Sequence, residues 1–226
     1  MCIRDSAGTY TNTVTGTASN YNLTLVNGSL VIGKANATVT ANSTSVTYTG
    51  LAQSVSGFTS SGLVNGETAS VLSGVTASGA TGTNAATYTN TVSGTDSNYN
   101  LSLVSGSLVI GKANATVTGN SSSVTYIGLA QSVSGYTASG LVNGETASVL
   151  SSVTASGVTG TNVATYTNTV SGTDSNYNLT LVNGSLVIGK AGLVVTADNQ
   201  TRVYGASNPT LTYTVTGYVN GEGAST

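Results

Sequence analysis

The sequence predicts an all-β chain: a tandem array of small antiparallel β-sandwich units. Three observations carry that expectation. The tripeptide Gly-Lys-Ala recurs around Lys34, Lys112 and Lys190, twice at a spacing of 78 residues, so the chain repeats a cassette rather than folding as one large domain. Inside the cassette apolar and polar residues alternate with a period of two, the pattern of half-buried strands. The alternating runs are short and separated by Gly, Asn and Ser clusters, and no ten-residue segment has helical spacing, which favours a sandwich.

The copies follow one another along the chain. Residues 34–111 and 112–189 align without a gap and differ at ten positions, mostly mild exchanges such as Phe58 for Tyr136 or Ala80 for Val158. They are two complete copies. Residues 7–33 match the C-terminal part of a copy, with Tyr10 answering to Tyr88 and Tyr166, and residues 190–226 open a truncated, diverged copy. Boundaries are therefore expected at Gly33-Lys34, Gly111-Lys112 and Gly189-Lys190. Only a few residues separate the last strand of one copy from the first strand of the next, so the array is expected to be a semi-rigid rod. The opening Met1-Cys2-Ile3-Arg4-Asp5-Ser6 has no counterpart in any copy; it resembles the translation of a sequencing-library adapter, and residues 1–6 are set aside as an artefact.

Within one copy, Val39 between Thr38 and Thr40 marks a first strand, and Val46 and Tyr48 between Thr47 and Thr49 mark a second. Asn65-Gly66 is a turn signal, repeated as Asn143-Gly144 and Asn220-Gly221. The stretch from Asn65 to Gly74 tolerates a short helix through Glu67, Ala69, Val71 and Leu72; in that case a β-grasp-like unit is the alternative. Tyr88, in Thr87-Tyr88-Thr89, occupies the place of the tyrosine corner of Ig-like sandwiches, where the hydroxyl is tied to backbone, although a plain core tyrosine fits equally well. Tyr99, Leu101 and Leu103 share one strand face, and Leu108 and Ile110 share one face of the next. Between the equivalent strands of the flanking copies stand Asn27-Gly28 and Asn183-Gly184, with Ser105-Gly106 in the first complete copy, which predicts a tight type I′ hairpin. The count is six or seven strands per copy.

Composition narrows the function. Only 5 % of residues are charged, against roughly 25 % in ordinary domains, and the net charge is −2. The five cations Arg4, Lys34, Lys112, Lys190 and Arg202 stand singly, so there is no basic patch to neutralise phosphates and nucleic-acid binding is excluded. No apolar run reaches the roughly 18 residues of a membrane span. After Ser6 there is no cysteine, so disulfides are not used. That fits an exported chain threaded unfolded through an outer-membrane pore.

Candidate chemistry is sparse. The copies hold no histidine and one isolated carboxylate at each of two places: Glu67 with Asp96, and Glu145 with Asp174. General acid–base catalysis, nucleophile activation and zinc ligation draw on His, Cys or paired carboxylates, so no catalytic, cofactor-binding or metal-binding residue is assigned and no cofactor is expected. Asp96, in Gly-Thr-Asp-Ser-Asn, fits a cap on backbone amides better than a metal ligand. The lone lysines 34, 112 and 190 read as solvated charges at the joints rather than as isopeptide partners. Tyr48, Phe58, Tyr88 and Tyr99 are the aromatics of a complete copy, and a core this small uses most of them; stacking on sugars is the rival reading.

The series Tyr-Thr-Asn-Thr-Val, Ser-Asn-Tyr-Asn-Leu and Gly-Ser-Leu-Val-Ile-Gly-Lys-Ala resembles the MBG and YDG type repeat domains of large bacterial surface adhesins and filamentous-haemagglutinin-like exoproteins. The last segment resembles them most, through Val194 to Asn199, Val203-Tyr204-Gly205, Asn208-Pro209 and Leu211 to Gly217. The complete copies depart from the Tyr-Gly pattern with Tyr48-Thr49-Gly50 and Tyr126-Ile127-Gly128. The resemblance implies a non-catalytic, extracellular, cell-surface module that acts as a stalk or spacer and presents a distal adhesive region; the alternative is a lectin-like module. Any partners, host or bacterial surface glycans or proteins, would be reached through the parent adhesin.

Overall fold

The computed structural model describes residues 6–223, whose regular structure is β-strand apart from two three-residue 3-10 turns, Ala69–Val71 and Ala147–Val149. Residues 1–5 of the set-aside hexapeptide lie outside the described residues. The chain divides into two compact units, the first ending at Gly111 and the second opening at Lys112.

The first unit begins with β1 (Gly8–Asn12) and β2 (Gly28–Ile32), an antiparallel pair with Tyr10 opposite Leu30. The complete copy follows with β3 (Ala35–Ala41), β4 (Thr44–Thr47), β5 (Gln53–Val55), β6 (Phe58–Ser61) and β7 (Val75–Ala77). It continues with β8 (Ala80–Gly82), β9 (Thr87–Asn90), β10 (Val92–Gly94), β11 (Tyr99–Val104) and β12 (Gly106–Gly111). Ten strands replace the expected six or seven, because three-residue strands such as β5 and β8 are too short for an alternating pattern to register.

Two three-stranded sheets organise the copy, in the orders β11-β3-β6 and β4-β12-β9, with the pairs β7-β10 and β5-β8 beside them. The inward residues of β3 are Ala37, Val39 and Ala41. They bury with Tyr99 of β11, Leu72 behind the 3-10 turn, and Val75 and Val92 of the β7-β10 pair. Fully burying a valine or leucine contributes about 1.5–3 kcal/mol. Leu108 and Ile110 of β12 are likewise buried, as are Tyr48 and Ala80, and β12 lies against β5 and β8. Each copy thus carries two small layered cores.

The sheets are mixed rather than purely antiparallel. β11 runs parallel to β3, Tyr99 opposite Ala35 and Val104 opposite Thr40, and β12 runs parallel to β4, Leu108 opposite Thr44 and Gly111 opposite Thr47. The expected type I′ hairpin between β11 and β12 is therefore not formed, since these strands belong to different sheets. Its glycine is needed for close approach instead. A Cβ on Gly106 would stand 2.3 Å from the carbonyl oxygen of Asn42 and 2.4 Å from that of Ala41. In the second copy the asparagine of the pair caps, Asn183 Oδ1 accepting the Val170 amide at 3.0 Å. By contrast Asn65-Gly66 is a true turn, both residues having positive φ (55° and 70°) and the Glu67 amide donating to the Val64 carbonyl. The segment that would have supplied the helix of a β-grasp-like unit is only the single 3-10 turn.

The second unit repeats every pairing. Its strands are β13 (Ala113–Gly119), β14 (Ser122–Thr125), β15 (Gln131–Val133), β16 (Tyr136–Ser139) and β17 (Val153–Ala155). They are followed by β18 (Val158–Gly160), β19 (Ala164–Asn168), β20 (Val170–Gly172), β21 (Tyr177–Val182) and β22 (Gly184–Gly189). The sheets run β16-β13-β21 and β14-β22-β19, with the pairs β15-β18 and β17-β20. β23 (Val194–Ala197) and β24 (Tyr213–Thr216) form the antiparallel pair that opens the trailing copy.

Candidate functional site

The polar groups that chemistry could use are placed by the strands in four arrangements. Asn90 ends β9 on its inward side and is fully buried, at 0 % exposure. Its Oδ1 accepts the Gly79 amide at 2.9 Å, and its Nδ2 donates to the carbonyls of Asn42 at 3.0 Å and Gly57 at 3.3 Å. All three hydrogen-bonding capacities of the amide that reach protein are engaged, which is the condition for burying it without a penalty. Asn90 stands opposite Gly106 in the β9-β12 ladder, so one residue ties three loops at the place where the chain changes sheets. Asn168 repeats this with Gly157, Asn120 and Gly135. Neither is marked by a motif in the sequence. Their signal was a polar residue two places after Tyr88, on the same strand face, where the alternation calls for an apolar one.

Glu67 follows the Asn65-Gly66 turn and accepts the hydroxyl hydrogen of Tyr99, while the Tyr99 oxygen accepts the Val64 amide at 3.0 Å. The bond to Glu67, with burial added, raises the Tyr99 pKa above the ordinary phenol value. Tyr177 and Glu145 form the same pair, with burial the larger cause of the raised pKa. These carboxylates act as hydrogen-bond acceptors for buried phenols.

Asp96 Oδ1 accepts the amides of Asn98 at 2.7 Å and Tyr99 at 3.1 Å, a capped turn, and Asp174 does the same for Asn176 and Tyr177. Lys34 and Lys112 are engaged rather than simply solvated. Each Nζ donates to the backbone carbonyl of its copy's aspartate, Asp96 or Asp174, at 2.7 Å, which closes the loop against the start of the first strand. Among the described residues no three His, Cys, Asp or Glu side chains gather where they could hold a metal.

The tyrosine-corner bond is present in every copy that has the residue. Tyr88 donates to the Asn84 carbonyl and Tyr166 to the Asn162 carbonyl, both at 3.1 Å, and Tyr10 to the Ser6 carbonyl at 2.6 Å. Tyr48, Tyr99 and Tyr177 are buried; Phe58, Tyr88, Tyr126, Tyr136 and Tyr166 are half-buried. No aromatic ring of a complete copy is offered openly to solvent.

One recess of about 370 Å³ lies inside the second unit, between the complete copy and the trailing one, and is lined by Tyr126, Val163, Lys190, Leu193, Tyr218 and Glu222. Tyr126 donates to Glu222, which raises its pKa, and Asn220 Nδ2 donates to the Gly128 carbonyl at 2.9 Å. The third Asn-Gly-Glu turn thus seats against the complete copy before it.

A family model described as MBG domain (YGX type) matches residues 37–109, 115–187 and 193–226. The three matches begin 78 residues apart, and the first two lie within residues 34–111 and 112–189 despite the residue inserted between their Tyr and Gly. A comparison with curated proteins found no match.

Proposed function

We propose, because the chain belongs to the YGX-type MBG domain family, that it is a non-catalytic repeat segment acting as a stalk or spacer that presents a distal adhesive region of a large secreted or surface-anchored bacterial protein. MBG repeats are a non-enzymatic repeat family typical of large surface proteins. The folding unit in this reading is the 78-residue copy, with boundaries at Lys34, Lys112 and Lys190, preceded by a partial copy over residues 7–33 and followed by one over residues 190–226. It carries no catalytic, cofactor or metal site.

The observation that supports this reading best is the engagement of every carboxylate and aromatic ring of the complete copies in the fold itself. Glu67 and Glu145 hold phenols, Asp96 and Asp174 cap turns, and the aromatic residues are buried or half-buried. A sugar-binding face needs exposed rings and free polar groups beside them. Such a module serves by length and by number, placing whatever lies beyond it.

The test is a glycan array probed with the full chain. A blank array is expected. Reproducible binding of one sugar class, lost on replacing Tyr88 and Tyr166 by alanine in a chain that still folds, would overturn the spacer reading in favour of the lectin-like one.

A further inference from the structure

The strands that enter a copy and the strands that leave it pair as two parallel ladders in one shared register, one in each three-stranded sheet. Each side of the pairing is a long strand broken once: β3 passes into β4 through Asn42-Ser43, and β11 passes into β12 through Ser105. Every paired residue has its partner 64 positions later, Ala35–Thr40 with Tyr99–Val104 before the break and Thr44–Thr47 with Leu108–Gly111 after it. The break itself is bridged at the same offset, the Ser107 amide donating to Ser43 Oγ at 3.0 Å. Both ends are closed, by the Ala35 amide on the Asn98 carbonyl at 2.9 Å and by the Tyr48 amide on the Gly111 carbonyl at 2.8 Å. On the outer face Asn100 Nδ2 donates to Asn36 Oδ1 at 3.3 Å. The second copy keeps the same offset from Ala113 with Tyr177 to Thr125 with Gly189, with Ser185 bonded to Ser121 Oγ at 3.0 Å.

This arrangement decides how a copy meets a pull on the chain. Tension enters a copy at the N-terminal end of β3 and leaves at the C-terminal end of β12. Because the two long strands point the same way, those two ends lie at opposite extremes of the shared register, and the pull slides one strand along the other. Every cross-strand bond is then strained together. In an antiparallel first-to-last pairing the same pull would open the ladder from one end, one bond at a time. The ladders are backed on their inward sides by Val39, Leu108 and Ile110, all buried, so sliding also drags apolar side chains past one another.

From this geometry we infer that each complete copy is a tension-bearing clamp: its function includes resisting extension of the protein under shear, with unfolding under load governed by rupture of the parallel ladders. The inference rests on the spacer reading and adds to it a mechanical duty. A spacer without the clamp would lengthen under modest force.

The experiment is single-molecule force spectroscopy on the full chain with Cys2 replaced by serine. In one arm handles are attached at the two chain ends. In the other, cysteines at the exposed positions Gly33 and Ser97 carry the handles, which pull the long strands apart from the same end of the ladder. End-to-end pulling is expected to give two rupture events, each releasing roughly 260 Å of chain, the extended length of 78 residues, at forces several-fold above those of the 33/97 arm. Ser43→Ala, which removes the bridge at the break, is expected to lower one of the two end-to-end forces and leave the other. Equal forces in the two arms, or extension without distinct ruptures, would overturn the clamp. The glycan array decides the spacer reading separately, whatever the forces are.

Discussion

Replacing Asn90 by alanine is expected to destabilise the first complete copy strongly while leaving the second intact. The side chain is fully buried and joins the Gly79 amide to the carbonyls of Asn42 and Gly57. Alanine removes the side chain from all three, but the Gly57 carbonyl keeps the Asn42 amide at 3.0 Å, so the loss falls on the Gly79 amide and the Asn42 carbonyl. Each group stranded in this way costs about 1–3 kcal/mol, so the two together cost about 2–6 kcal/mol. A unit of this size has about 4–12 kcal/mol to lose. Asn90→Asp tests the same point differently: it keeps an acceptor for Gly79, loses both donors and buries a charge, so it is expected to be at least as damaging at neutral pH and partly relieved in acid, where the carboxyl is neutral and can donate once. Chemical denaturation followed by hydrogen exchange resolved to the residue distinguishes the copies. Protection should fall across β3 to β12 and stay unchanged across β13 to β22. A loss below about 1 kcal/mol, smaller than one stranded group would cause, would mean that Asn90 is not the hub described here.

The second large effect is expected at Gly106. An added Cβ meets two backbone oxygens, at 2.3 and 2.4 Å, where carbon–oxygen contacts ordinarily begin near 3.3 Å. A side chain could swing aside, but these atoms belong to the end of β3 and its continuation, held by their own sheet. Gly106→Ala is therefore expected to cost more than about 3 kcal/mol, in the range where a single substitution signals a specific structural fault. Gly33→Ala is the control. Its Cβ meets nothing within 4 Å and its φ is not positive, so its effect should stay within about 0.5 kcal/mol. Thermal unfolding of the two variants beside the parent chain is sufficient. Similar midpoints for Gly106→Ala and the parent would show that the long strands do not cross where the structure places them.

Much of the local structure was legible in the sequence. The alternation around Val39, Val46 and Leu108 identifies strands and their inward faces, because the period of two is a property of one strand alone. Asn65-Gly66 is legible for the same local reason: both residues accept positive φ, and both adopt it. The 78-residue frame is likewise a matter of counting. Partnership between strands is a different kind of information. Alternation says which side of a strand is buried and nothing of which strand lies beside it. Proximity in sequence suggested a hairpin between β11 and β12, and the long-range ladders to β3 and β4 prevail because they let both strands bury their inward residues in separate cores. The glycine at 106 and at 184 was visible, but its reason, a backbone crossing, could not be read without the partner strand.

The polar groups divide in the same way. Asp96 could be read as a turn cap because its partners are two and three residues away. The acceptor role of Glu67 depends on Tyr99, thirty-two residues on, and the engagement of Lys34 on Asp96, sixty-two residues on. Tyr88 was legible as a corner residue because its hydroxyl reaches back only four residues. Asn90 was not, since its partners lie on three separate loops.

The parallel pairing of the first and last long strands of a copy underlies both the hub at Asn90 and the clamp. Asn36 and Asn100 stand opposite one another on the exposed side of that ladder, with their side chains in contact. Cysteines at these two positions, in a chain whose Cys2 is serine, should form an intrachain disulfide under mild oxidation, seen as a faster-migrating monomer that reverts on reduction. Cysteines at Leu103 and Leu108, which a β11-β12 hairpin would bring together, should remain free thiols. Closure of the 103/108 pair with the 36/100 pair left open would contradict the ladder, and with it both the hub at Asn90 and the clamp.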